Sequence, residues 1–330
     1  MSGAAQPAAA VKSRHALSLA GMLRRFGPLL GLLILCAALG TASDRFLTAD
    51  NLLNVFRQSA VNALVSLGQL TVIITAGIDL SVGSILGLCC VMVALLMHAG
   101  VPPLVSVAVA LGIGAALGAV NGILLTKLHL PHPFIPTLGM MNVARGLALV
   151  ISGGFPISEL PARFRFLGAG SVGFVPAPVI LVVLFFGAFS VFLNRTTVGR
   201  DIYAIGGNPA AARLSGVPVD ARLVLVYALS GFTAAAGAIV LAGRMNSGFP
   251  LAGVGAELDS IAAVVIGGAS FLGGVGTVSG TLVGALIMGV LRNGLNLLNV
   301  SAAWQTVVIG TVIVAAVWVD VARQRAAEKG

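Results

Sequence analysis

The residues of this chain that could do chemistry are mostly uncharged amides and hydroxyls set inside apolar stretches. Asn62, Ser66 and Gln69 recur at i, i+4 and i+7, which puts them on one helix face. Asn142 and Arg145 lie in a second apolar stretch, Arg292, Asn293 and Asn296 in a third, and Gln305 in a fourth. An amide or guanidinium in hydrocarbon is costly unless it faces protein or water. Uncharged hydrogen-bonding groups suit a neutral, polyhydroxylated solute better than an ion, so Asn62, Ser66, Gln69, Asn142, Asn293 and Asn296 form a candidate solute pathway. Helix-to-helix bonding explains each of them equally well taken singly.

No phosphate-cradling Gly-rich Lys motif, metal-ligand cluster or nucleophile elbow is present, which disfavours a membrane enzyme. Cys36, Cys89 and Cys90 all fall in apolar stretches, and His15, His98, His129 and His132 lack ligand spacing. No metal and no cofactor is expected in this chain. Any pumping must therefore draw on an ion gradient or a separate motor.

The elements that position these groups are membrane spans. With 58% apolar and 9% charged residues, 43 glycines and a mean hydropathy of +1.05, the composition is far from that of a soluble domain, where about 25% of residues are charged. From Leu80 to Thr126 there is no Asp, Glu, Lys or Arg, a run of 47 where a span needs about 20. It must hold two helices, with Val101, Pro102 and Pro103 as the turn. The same window predicts spans near 27–43, 59–77, 81–98, 103–126, 133–152, 176–194, 222–243, 258–272, 275–297 and 302–320. The predicted fold is an all-α polytopic membrane protein of about ten helices, with 258–272 short enough to be re-entrant.

Twelve Lys and Arg residues fall on one predicted side and five on the other, Arg45, Arg57, Arg163, Arg165 and Arg244. By the positive-inside rule the richer side, with both termini, is cytoplasmic. The net charge of +9 thus reflects orientation against membrane lipid, and no nucleic acid is expected as a partner. Residues 1–26 lack a signal-peptide core and read as a disordered cytoplasmic tail, 27–320 as the membrane domain and 321–330 as a second tail.

One charged connection, 195–222, stands out. Asn208 is a good N-cap, Pro209 suits the first helical position, Ala210 to Leu214 form helix well, and Gly216 with Pro218 closes the element. The pattern predicts a single short helix, which needs a partner because two turns are unstable alone. An ordinary helical loop is the plainer alternative.

Two glycine-rich segments, Val72 to Leu88 and Val264 to Leu286, look like distant copies and hint at a weak internal duplication. Paired interrupted segments point to a transport pathway, whereas Gly118/Gly122 and Gly280/Gly284 at GxxxG spacing would equally allow close helix packing. Asp79 sits between two spans, where it or Ser81 could cap the next helix, and it is expected near the cytoplasmic boundary.

The strings TAGIDLSVGSILGL from Thr75, PFIPTLGMMNVARGLAL from Pro133, TTVGRDIYAIGGNPAAARLSGV from Thr196, ELDSIAAVVIGGASFLGGVGTVSGTLVGAL from Glu257 and NGLNLLNVSAAWQ from Asn293 occur in order. Together they resemble the permease subunit of bacterial ABC sugar importers of the ribose type, across nearly the whole chain. The resemblance implies an inner-membrane homodimer, a cytoplasmic ATP-binding subunit that uses ATP and Mg, and a periplasmic sugar-binding protein. It also makes Gly199, Arg200, Asn208, Pro209, Ala210, Ala211, Ala212, Arg213 and Gly216 the coupling region. The family's EAAxxxG loop reads Ala210-Ala211-Ala212-Arg213-Leu214-Ser215-Gly216 here, with alanine at the acidic position. Rival readings are an ABC permease for a polyol, nucleoside or branched-chain amino acid, and an ion-coupled carrier, for which Asp79 at a span end is a poor candidate.

Overall fold

The computed structural model describes the backbone of residues 19–328 and the side chains of residues 27–322. Helices α1 (Leu19–Ala42), α2 (Ala49–Ile74), α3 (Val82–His98), α4 (Pro103–Lys127) and α5 (Phe134–Ser152) come first. An outer segment follows, with β1 (Ile157–Ser158), α6 (Ala162–Ala169), β2 (Ser171–Val172) and β3 (Val175–Pro176). Then come α7 (Ala177–Arg195), α8 (Thr197–Gly207), α9 (Pro209–Leu214), α10 (Val219–Met245), β4 (Ser247–Gly248), α11 (Ala256–Ile266), α12 (Val278–Leu297) and α13 (Ala302–Glu328). Six of these, α4, α5, α7, α10, α12 and α13, are long and apolar enough to cross a membrane. The chain is an all-α polytopic membrane protein.

Helix ends follow local chemistry. The hydroxyl of Thr48 accepts from Asn51 N at the start of α2, and that of Thr277 accepts from Gly280 N at the start of α12. Pro103 opens α4, where its missing N–H is no loss. The expected turn at Val101–Pro103 is present, closed by Val101 N donating to Leu96 O at 2.9 Å.

The long helix α10 is the centre of the bundle. In its most apolar window 67% of residues are buried, against 11% for α13 at the periphery. α4 lies directly on α10 along a glycine seam. A Cβ on Gly118 would strike the backbone of Tyr227, and one on Gly122 the backbone of Val224, so the two helices meet main chain to main chain. Gly280 and Gly284 do the same for α12 against the end of α11. At the outer end, β1 pairs antiparallel with β4, and Ser158 O lies 2.7 Å from His98 Nε2 of α3.

Four expectations are corrected. The 258–272 segment is helical only over α11, eleven residues, and continues as irregular chain to 277, because Gly267, Gly268, Gly273 and Gly274 interrupt it. The charged connection holds two helices, α8 and α9, where a single one was predicted. α1 already begins at Leu19 and α13 runs to Glu328, past the bounds drawn at 27 and 320; the remaining tail residues lie outside those described.

The fourth correction concerns Asp79, which is fully buried inside the bundle. Its Oδ1 accepts from Ser81 N at 2.9 Å and Ser81 Oγ at 2.6 Å, and its Oδ2 accepts from Ser230 Oγ at 2.8 Å. Asn121 Nδ2 of α4 donates to the same Ser81 hydroxyl at 2.9 Å. Ser230 lies about 16 Å along α10 from its start at the usual helical rise. With its amide nitrogen turned toward the Asp79 carbonyl, Gln69 brackets the Asp79 peptide group, at 3.2 Å to O and 3.3 Å from N. The carboxylate thus fastens the α2–α3 interruption to α4 and α10, and the capping role is carried by Asp79 through Ser81 N.

Two outcomes follow. Gly118→Leu forces α4 off α10 at a cost of about 1–3 kcal/mol or more, read as a lower Tm and lost monodispersity in detergent. Gly112→Leu, where an added Cβ meets nothing within 4 Å, leaves both unchanged. Asp79→Leu strands the Ser81 N–H and Ser230 hydroxyl, at about 1–3 kcal/mol each. Asp79→Asn keeps an acceptor for Ser81 and a donor for Ser230, and thermal denaturation should place it much closer to wild type.

Candidate coupling surface and pathway residues

The connection 195–222 folds as a bracket under the bundle. Thr196 caps α8 by accepting from Gly199 N at 3.0 Å, and its hydroxyl donates to Phe192 O at 2.6 Å, which makes a tight corner with α7. Gly199 is buried in that corner, so it shapes the turn and presents no surface. Val198, Ile202 and Ile205 fall at i, i+4 and i+7, and Val198 and Ile202 pack into the main core beside Ile74 and Leu70 of α2. Asp201 pairs with Arg222 at 2.8 Å, tying α8 to the first turn of α10.

α8 also touches the two helix interruptions, 75–81 and 267–277. Gly206 lies so close to Ile74 O and Gly274 N that no side chain fits there. Gly274 N donates to Ile74 O at 2.8 Å, which joins the second interruption to the last residue of α2, just before the first. The Tyr203 hydroxyl donates to Gly276 O at 2.8 Å. Burial pushes the Tyr203 phenol above its ordinary value, so it remains a neutral donor.

α9 is built as its sequence predicts. Asn208 Oδ1 accepts from Ala210 N and Ala211 N, both at 3.0 Å. At the other end Gly216 has φ +86°, and Val217 N donates to Ala212 O at 3.1 Å, the longer bond of a left-handed C-terminal cap. Ala212 is buried with Ile205 and Val219, and this small cluster holds α9 to α8 and α10. The other face is open: Arg200, Pro209, Ala210 and Ala211 are exposed, Arg213 pairs at the surface with Asp220 at 2.7 Å, and Leu214 is 91% exposed.

The pathway candidates divide. Gln69 serves the Asp79 peptide group, and Asn293 exchanges two amide hydrogen bonds with Asn51 at 2.9 and 3.0 Å. Asn296 accepts from Gln305 at 2.8 Å at the α12–α13 turn. These three are engaged in helix contacts. Ser66 is buried, 3.5 Å from half-buried Asn62, and Asn142 is exposed on α5, donating to Leu138 O of its own helix at 3.0 Å. Arg145 donates to Pro250 O, Ala252 O and Gly83 O, pinning the outer loop before α11 to α3. Arg292 pairs with Asp259 across α12 and α11 at 2.5 Å.

Tyr203, Gly206 and Leu214 were not singled out from the sequence. The 198/202/205 spacing is the signal that marks α8, and Leu214 reads as a core residue until α9 is seen to turn it outward.

A family profile described as the permease component of branched-chain amino acid transport systems matches residues 51–317. The chain is 45% identical over 300 residues to the ribose import permease protein of Escherichia coli (strain K12), covering 90% of this chain and 93% of that protein. The ribose import permease of Bacillus subtilis (strain 168) is 46% identical over 302 residues, 91% of this chain and 94% of its own length. The D-allose transport system permease of Escherichia coli (strain K12) is 40% identical over 298 residues, covering 90% of this chain and 91% of that protein. No solved structure matches. With its helical interruptions, its capped surface helix and a match along nine-tenths of its length, the chain belongs to the ribose-type permease family of bacterial ABC importers.

Proposed function

We propose that this chain is the membrane subunit of an ATP-driven importer that carries a neutral monosaccharide, ribose or a close relative, from periplasm to cytoplasm. The relatives named for ribose, D-allose, galactose and fructose support a sugar, although the family description speaks of branched-chain amino acids. The observation that carries the mechanism is α9: a rigid, capped turn that holds Leu214 91% exposed. α8 and α9 dock into the cytoplasmic ATP-binding subunit, whose ATP and Mg supply the energy, while this chain is no enzyme and holds no cofactor of its own.

A periplasmic binding protein delivers the sugar, and a second copy of the permease completes the passage. Each copy crosses ten times, with α11 and the irregular chain after it together making one crossing, and the two interruptions are products of an internal duplication. The charge bias puts both termini in the cytoplasm. Asn62 and Asn142 keep amide groups that interhelical bonds do not engage, and they are the best placed to meet sugar hydroxyls.

Buried Asp79 is the one feature that favours an ion-coupled carrier. Its oxygens are already held by Ser81 and Ser230, which suits a structural carboxylate. In liposomes carrying the permease, ATP-binding subunit and binding protein, uptake requires ATP and loaded binding protein and survives an uncoupler. Uptake by the permease alone, abolished by an uncoupler, would overturn the reading.

Burying a leucine is worth about 1.5–3 kcal/mol, so Leu214→Asp weakens assembly with the ATP-binding subunit by roughly 10- to 100-fold, with membrane insertion intact. Gly216→Val strains the left-handed cap by about 1–2 kcal/mol and lowers co-purification in the same direction. Normal assembly in both variants would show that α9 is not the docking element.

A further inference from the structure

The two interruptions and α8 meet at one place. Ile74 O accepts from Gly274 N, so the last residue of α2, just before segment 75–81, is bonded to segment 267–277. Ala76 holds φ +58°, an unusual value for a residue with a side chain, directly beside Gly273. Ser270 N donates to Val275 O at 3.0 Å and closes the second segment on itself. Tyr203 bonds from α8 into the second segment through Gly276 O at 2.8 Å. Beside it main chain meets main chain, with Gly206 seated on Ile74 O and Gly274 N.

We infer that Tyr203 is the positioning residue that makes segments 75–81 and 267–277 move with α8, so that they form the inner gate driven by the docked motor. The inference rests on the coupling assignment above. α8 and α9 form one unit through the cluster of Ile205, Ala212 and Val219. When that unit shifts, the Gly206 seat resists sliding sideways, because backbone meets backbone there. It resists separation only weakly, because contact at that seat is van der Waals. The Tyr203 hydroxyl supplies the pull in that direction. Segment 267–277 then leads straight into α11 and α12, whose far ends are tied by the Asp259–Arg292 pair. A displacement at α8 therefore reaches an eleven-residue helix that irregular chain flanks in sequence on both sides. Discrete shifts of this kind are how packed interfaces pass on small motions.

The test uses the whole complex of permease, ATP-binding subunit and binding protein in liposomes, with Tyr203→Phe, which removes one oxygen and keeps the ring. Expected are unchanged co-purification, ATP hydrolysis close to wild type, and a fall of about fivefold in sugar carried per ATP, the factor one net hydrogen bond sets. A merely structural role would lower hydrolysis and transport in parallel, and that result overturns the proposal. So does an unchanged sugar-to-ATP ratio, or lost co-purification, which would put Tyr203 in the docking surface instead. A second measurement stands apart from activity. Spin labels at Ala204→Cys on α8 and Leu272→Cys on the loop, in a Cys36→Ser background, should keep one separation with and without ATP. Divergence of the two labels in the otherwise wild-type chain also overturns the inference. Failure of the docking assignment itself shows separately, as normal assembly of Leu214→Asp.

Discussion

Away from water every backbone N–H and C=O has to be bonded by protein, and an unmet one costs several kcal/mol. A bundle of unbroken helices satisfies this automatically, but helical order is broken here at 75–81 and at 267–277. Gly274 N of the second break bonds Ile74 O at the end of α2, just before the first, and the Asp79 carboxylate takes up the free N–H of Ser81. The remaining architecture follows from protecting those two breaks. α10 runs through the centre so that Ser230 reaches Asp79, and α4 lies close enough to contribute Asn121 only because glycines line its seam.

The same requirement explains why α8 is pressed against the bundle. Its Ile202 face extends the core, and Gly206 and Tyr203 cover carbonyls at the edge of the interruptions. A solvated loop in this place would admit water to Ile74 O and Gly276 O and compete with the bonds that hold the breaks in register. The bracket is therefore structural toward the bundle and leaves its opposite face open.

Much of this was legible in the sequence where the determining chemistry is local. Span positions follow from runs of apolar residues, and most predicted bounds fall close to the observed helices; α9 was readable from Asn208, Pro209 and Gly216 because caps act over three or four residues. The burial of Asp79 was not readable, since it depends on Ser230 and, through Ser81, on Asn121, which are 151 and 42 positions away along the chain. α8 was hidden because Arg200, Asp201 and the Gly206–Gly207 pair read as loop, although its apolar spacing was there. Gln69 and Asn293 looked like solute ligands from their polarity alone, and only their partners, the Asp79 peptide and Asn51, show them bonding helix to helix.

The slight attachment of α9 has a bearing on how such machines diversify. Its apolar hold on the body is one buried alanine, Ala212, clustered with Ile205 and Val219, beside the surface pair of Arg213 with Asp220, while Ala210, Ala211 and Leu214 are exposed. Changes at these three positions can therefore accumulate without disturbing the interior, and in the docking role proposed for α9 the identity of the motor and the shape of the solute passage are free to evolve as separate traits.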